Sequence, residues 1–176
     1  QNRIEQAIAD TNISYAAFYQ TMIHYFKENK KGDGKALNDY GLKRPSWRSD
    51  LEVLYPDCKQ ALKTLHQHYK IGIIANQLPN LQARLGRFGI DSWIDLVISS
   101  ADVGLAKPDL AIFELALQQA NCLAEGAVMI GDRLDNDILP AKQLGMQTIW
   151  IRQGFSRLTH ITNPAEAPDW TVDNLT

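Results

Sequence analysis

The chain has 176 residues, 45% of them apolar and 22% charged, with a formal charge of −2; this make-up excludes a disordered, collagen-like or fibrous protein. No basic stripe or block of like charge points to nucleic acid, and no apolar run approaches membrane-spanning length. Cys58 and Cys122 stand far apart without Cys-x-x-Cys or Cys/His spacing, which predicts a reducing, cytoplasmic setting and no structural zinc. His24, His66, His68 and His160 are scattered and receive no role.

Residues 1–52 read as a small helical domain. Ile4, Ala7 and Ile8 have helical spacing, Asp10-Thr11-Asn12 reads as a turn between helices, and Ser14 is placed to cap a helix with Phe18, Met22, Tyr25 and Phe26 on one stripe. Lys31-Gly32-Asp33-Gly34 is expected to end it in a flexible turn. A shorter helix over Lys35–Tyr40 stops at Gly41, and Pro45 can begin another turn. Arg44, Trp47 and Arg48 read in two ways, as a cationic and aromatic surface for a substrate or as a packing tryptophan with two solvated arginines.

From Tyr55 the rhythm changes to alternating helix and strand. Asp57–His68 predicts a helix, Lys70–Ala75 a strand, Leu81–Phe88 a helix stopped by Gly89, and Leu96–Ile98 a short strand. Asp109–Ala120 predicts a helix, Ala127–Ile130 a strand, Asp135–Leu144 a helix ended by Gly145, and Gln147–Ile151 a strand. Pro140 requires that last helix to begin late or to kink. The alternation argues an α/β fold, a parallel sheet covered on both faces, over residues 53–176.

Chemistry concentrates where the run Ala127-Val128-Met129-Ile130 gives way to Gly131-Asp132-Arg133-Leu134-Asp135-Asn136-Asp137. Ligands in open α/β sheets sit beyond the carboxyl ends of strands, and hard oxygen donors gathered there suit a divalent cation such as Mg2+. Upstream, Ala106-Lys107-Pro108-Asp109 opens another helix, and its lysine could complement a phosphate whose oxygens such a cation also binds. Taken alone, Asp132 also reads as a loop or helix-capping aspartate, and Lys107 as a solvated lysine before a proline. Asp135 reads as a helix cap and Arg133 as a loop residue near the mouth of the site.

Gly131-Asp132 through Asn136-Asp137, together with Val103-Gly104-Leu105-Ala106-Lys107-Pro108, resemble the fourth and third signature motifs of the haloacid dehalogenase superfamily of phosphatases and related hydrolases. Tyr55-Pro56-Asp57 and Ala167-Pro168-Asp169-Trp170 extend the resemblance over about Tyr55 to Thr176. It implies a Rossmann-like parallel sheet with residues 1–52 as a helical cap. It also implies Asp132 as a Mg2+ ligand and Asp137 as a further, water-mediated ligand that orients Lys107. Lys107 would hold a carboxylate and a phosphate oxygen together, and Asn76, in the phosphate-binding loop, would bind the phosphate through its amide and neighbouring backbone N–H groups and so help stabilise the transferring group.

Two departures bear on activity. The family's Asp-x-Asp at the end of a first, central strand is not found, so the core over 53–176 is expected to lack that strand, and an upstream segment of roughly twenty residues or more is expected to carry it. A Ser or Thr normally precedes the phosphate-loop Asn, whereas Ala75 precedes Asn76 here; Ser99 and Ser100 are the nearby hydroxyls, and read chiefly as turn residues. The resemblance therefore implies a Mg2+-dependent phosphatase of small phosphorylated metabolites, working through an aspartyl-phosphate whose aspartate lies outside this chain. The alternatives are a catalytically impaired ligand- or partner-binding protein and a 2-haloacid dehalogenase-like hydrolase.

Overall fold

The computed structural model describes residues 2–175. The chain divides into two compact units, Gln1–Val53 with Gly154–Pro164 and Leu54–Gln153 with Ala165–Thr176. No helix among the described residues is long and apolar enough to cross a membrane.

The first unit is helical, with α1 over Asn2–Ile8, α2 over Tyr15–Lys27 and α3 over Gly32–Asp39. Ser14 caps α2 by accepting from the Ala17 N–H at 3.1 Å. Asp10 to Asn12 form a turn in which the Thr11 amide and hydroxyl both donate to the Ile8 carbonyl, at 3.0 and 2.8 Å. Phe18 and Met22 of the stripe are buried against Ile4, Ile8, Ala36 and Leu37.

The glycine turn expected at Lys31–Gly34 is displaced. Asn29 takes the left-handed conformation (φ 57°) that breaks α2, a conformation Asn adopts more readily than most residues. Gly32 already opens α3, because a Cβ there would lie 2.4 Å from the Met22 carbonyl oxygen and from the Phe26 ring. The turn expected at Pro45 is found later, as a single 3-10 turn over Ser49–Leu51. Gly154–Pro164 joins this unit because Phe155 stacks on Phe26 at 5.0 Å and the Asn29 side-chain amide bonds both backbone groups of His160 at 2.7 Å. Arg44 pairs with Asp33 at 3.2 Å, Arg48 grips Asp50 through two bonds of 2.8 and 2.6 Å, and the Trp47 indole donates to Glu52 at 2.6 Å. The cationic cluster thus engages acids of its own unit.

The second unit is the α/β core: α4 over Cys58–His66, β1 over Gly72–Ala75, α5 over Leu81–Phe88, β2 over Leu96–Ser99, α6 over Ser100–Val103, α7 over Leu110–Ala120, β3 over Val128–Gly131, α8 over Leu139–Gln143, β4 over Gln147–Ile151 and β5 over Trp170–Val172. Every strand pairing is parallel. Successive residues of β1 serve opposite faces, as a strand buried on both sides requires. Ile74 packs with Ile98, Ile112, Phe113 and Met129, whereas Ile73 packs with Leu81, Leu85, Ile90 and Ile94. Full burial of a side chain such as Phe113 contributes about 1.5–3 kcal/mol.

The pairing resolves into two sheets, β1-β2 and β3-β4-β5. Among the described residues β1 has β2 as its one strand neighbour and β3 has β4, so each leaves an edge of backbone donors and acceptors without a strand partner. Ile74 of β1 and Met129 of β3 share one apolar cluster with Ile112, Phe113 and Ala116 of α7.

Three elements differ from the sequence reading, the short helix α6 after β2 being one of them. β5 was not expected; it is pinned by Asp169, whose carboxylate accepts from both the amide and the hydroxyl of buried Thr148 at 2.8 Å. The Thr148 hydroxyl, ahead of the backbone bonds and the Lys142 ammonium, holds the Asp169 carboxyl below the ordinary aspartate value. The helix expected over Asp135–Leu144 is divided, with a π-helical turn over Leu134–Ile138 before α8. Pro140, which has no N–H to donate, lies in the first turn of α8, where none is needed. The wider turn buries Asn136, Asp137 and Ile138 in succession.

Candidate active site

The carboxyl ends of β1 and β3 and the loop before α7 meet through side chains that the sequence reading singled out. Lys107 and Asp137 form an ion pair at 2.6 Å with side chains only 11% and 6% exposed. Asp137 Oδ1 accepts from the Lys107 ammonium, and Oδ2 accepts from the Arg133 N–H at 3.0 Å. Both carboxylate oxygens are therefore engaged, which is the condition under which a buried ion pair is tolerated.

Asp132 stands differently. Its residue surface is exposed, while its backbone carbonyl accepts from the Trp150 indole at 2.9 Å. The protein packed around the remaining sides of its carboxyl removes water and raises it above the ordinary aspartate value, and repulsion from Asp137 adds to the rise. A backbone hydrogen bond, then Arg133 and Lys107, pull the other way. Trp150, 4% exposed and in register with Gly131 across the β3-β4 pairing, anchors the metal-site candidate from behind. In the sequence Trp150 belongs to the predicted strand Gln147–Ile151, and a buried indole N–H in need of an acceptor is the signal that it carries more.

Gly131 has a steric reason. A Cβ at this position would lie 2.4 Å from the Asp137 Cβ and 2.7 Å from its Cγ, distances at which one of the two residues must move. Gly131→Ala is expected to cost about 1–3 kcal/mol through overpacking and to displace Asp137 from Lys107. Urea denaturation of the variant measures the first effect. A crystal structure showing the 2.6 Å contact intact would contradict the second.

Asn76 follows β1 but commits its side-chain amide to protein. Its Nδ2 donates to the Lys107 carbonyl at 2.7 Å, and its Oδ1 accepts from the Lys107 N–H at 2.8 Å. The loop beyond it is braced from beneath. Ser100 Oγ accepts from the Gln77 N–H at 3.0 Å, Ser99 Oγ donates toward the Gln77 and Leu78 carbonyls at 3.4 Å, and buried Arg84 donates to the Gln77 side chain at 3.0 Å. These serines serve the turn. Ala75 pairs with Ser99 across the β1-β2 register and packs toward the Leu81–Ile94 cluster.

Asp135 is not the helix cap expected of it. Arg133 takes both of its oxygens, at 3.0 and 2.6 Å, on the exposed lip of the site. The π-helical turn starts one residue earlier than the expected helix, which removes the capping position that Asp135 would have filled.

Chemically, the cluster offers one outward carboxylate, one cation fixed by a buried acid, and a loop of ordered backbone after β1. Among the described residues no three His, Cys, Asp or Glu side chains converge as a self-sufficient metal site. Mg2+ does not need such a cage, since it retains waters and is commonly held by one or two carboxylates together with phosphate oxygens. Asp132 fits as one such carboxylate. Asp137, with both oxygens occupied, fits as the group that fixes Lys107.

A family model described as haloacid dehalogenase-like hydrolase matches residues 14–151. The pyrimidine 5'-nucleotidase YjjG of Escherichia coli is 37% identical over 123 residues, 68% of this chain and 52% of that protein. The glyceraldehyde 3-phosphate phosphatase of Methanocaldococcus jannaschii is 44% identical over 107 residues, 60% of this chain and 46% of that protein. The chain thus spans about half the length of these curated relatives. A haloacid dehalogenase-superfamily phosphatase structure from Thermococcus onnurineus superposes with a TM-score of 0.64 at 22% identity, covering 99% of this chain and 82% of that one.

Proposed function

Because the chain belongs to the haloacid dehalogenase-like hydrolase family, we propose that its acid–lysine cluster is part of a Mg2+-dependent phosphoryl-transfer site acting on small phosphorylated metabolites. The observation that carries this reading is the buried Lys107–Asp137 pair at the end of the strand that leads into Asp132, whose carboxyl feels the charges of both. A cation locked in place by an acid, next to a hard oxygen donor, is what a transferring phosphoryl group requires, because its catalysis is mostly positioning and charge stabilisation. Relatives named as a nucleotidase and as a sugar-phosphate phosphatase support small phosphate esters as the substrate class.

In this reading Asp132 would hold the ion, which supplies neutralisation of phosphate charge when bound. Lys107 bonds a phosphoryl oxygen and the attacking carboxylate at once, and Asp137 prevents it from swinging away. The attacking aspartate and the aspartate that protonates the leaving oxygen lie outside this chain, on a strand seated beside the free edges of β1 and β3. The loop after Asn76 lies beside the transferring oxygens in this reading, with its Gln77 N–H already donated to Ser100 and without the hydroxyl that a Ser or Thr would add at Ala75.

A panel of phosphate esters and 2-halocarboxylates, offered to the intact protein with Mg2+, tests the reading. Hydrolysis of esters alone supports it; dehalogenation alone replaces it with carbon chemistry; no turnover of either favours a ligand-binding protein, to which Ala75 also points. If esters are hydrolysed, Ala75→Ser is expected to raise turnover about tenfold, the equivalent of one added transition-state hydrogen bond of roughly 1.4 kcal/mol. Unchanged turnover in that variant would remove Ala75 from the account.

A further inference from the structure

We propose that Asn76 is a positioning residue, acting through the backbone of Lys107 rather than by touching substrate. The inference rests on the site described above and assigns Asn76 a different task from that of a phosphate ligand. Its amide makes two bonds to one residue, Nδ2 to the Lys107 carbonyl at 2.7 Å and the Lys107 N–H to Oδ1 at 2.8 Å. This is the exchange by which a neighbouring strand holds a residue in an antiparallel ladder, here supplied by a single side chain. Lys107 lies in no helix or strand, between α6 and α7, so no regular backbone ladder fixes it.

The consequence runs along one chain of contacts. β1 ends at Ala75, which fixes where Asn76 starts; Asn76 fixes the backbone of Lys107; and Lys107 extends its ammonium to Asp137 on the π-helical turn after β3. The two sheets, which share no strand pairing among the described residues, are linked at their carboxyl ends by this sequence of bonds. A cation at the end of a flexible four-carbon stem is held in register only if its root is held. A similar device recurs in the first unit, where Asn29 bonds both backbone groups of His160, so the geometry is one this fold uses elsewhere to secure an irregular segment.

The test compares the intact wild-type protein with Asn76→Ala and Asn76→Asp. The readout is acylation of Lys107 by an amine-reactive reagent, followed by peptide mass spectrometry, with exposed Lys59 and Lys63 on α4 as internal controls. Loss of the clamp is expected to make Lys107 react about tenfold faster through local opening, while the controls are unchanged. Asn76→Asp, which keeps an acceptor for the Lys107 N–H but cannot donate to its carbonyl when ionised, is expected to fall between the two. On a phosphate ester, the same variants should lower kcat with little change in KM, and Asn76→Asp should regain activity relative to wild type as its carboxyl protonates and both bonds return.

Lys107 reactivity equal to wild type in both variants would overturn the inference, and together with a raised KM would make Asn76 a direct substrate ligand. If no ester is hydrolysed by the wild-type protein, the acylation measurement still decides the role of Asn76, so failure of the phosphatase reading and failure of this inference are separable. Asn76→Asp also serves where Asn76→Ala does not fold.

Discussion

Asp132→Asn is expected to reduce phosphate-ester turnover by a factor on the order of 100 to 1000, the scale seen when one preorganised charge-stabilising group is removed, while leaving the protein at least as stable as wild type. The two halves of this expectation come from the same environment. An acid whose carboxyl is raised above its ordinary value by burial and by the neighbouring Asp137 is one whose charged form the fold disfavours. At neutral pH the charge is therefore held against the protein's own preference, and a neutral Asn relieves repulsion with Asp137. Steady-state kinetics and thermal unfolding of the purified variant measure both. Normal turnover would remove Asp132 from the site, and a sharp fall in Tm would show that it is a structural cap instead.

Lys107→Met is expected to be damaging in the opposite sense, lowering stability as well as activity. Its ammonium is the partner of a carboxylate that is only 6% exposed, and truncating one member of a buried ion pair leaves an uncompensated charge, at a cost of about 3–5 kcal/mol. Adding Asp137→Asn should then recover much of the lost stability, because the stranded charge is gone, without recovering turnover. Urea denaturation of the two single variants and the double variant completes the cycle. Additive losses would mean that the 2.6 Å contact carries no coupling, and Lys107 would then return to being a solvated lysine.

Much of this was legible from pattern alone. The acidic run after Ile130 and the Lys107-Pro108 segment were singled out by residue type, and the structure brings Lys107, Asp137, Asn76 and the vicinity of Asp132 together. Parallel strands were legible because buried runs such as Val128-Met129-Ile130 need apolar residues on both faces. What the sequence hid were relations between distant residues. No spacing rule shows that Asn76 engages Lys107, that the Trp150 indole holds the Asp132 carbonyl, or that a Cβ on Gly131 would collide with Asp137. β5 escaped notice because its three residues are exposed and its anchor, Asp169 on Thr148, is a side-chain contact. The Lys31–Gly34 turn misled for a related reason, since glycine there answers to close packing against Met22 and Phe26, and Asn29 performs the reversal. Asp135 looked like a cap because a helix was expected to start beside it, whereas the π-helical turn moved that start and gave the acid to Arg133.

The central claim, that Asp132 and the Lys107–Asp137 pair form a metal-dependent phosphoryl-transfer site, is tested most directly by following hydrolysis of an aryl phosphate by the intact protein after exhaustive chelation and then titrating Mg2+ back. The account predicts no turnover in chelator and a saturable return with Mg2+; turnover that persists undiminished in chelator would contradict it.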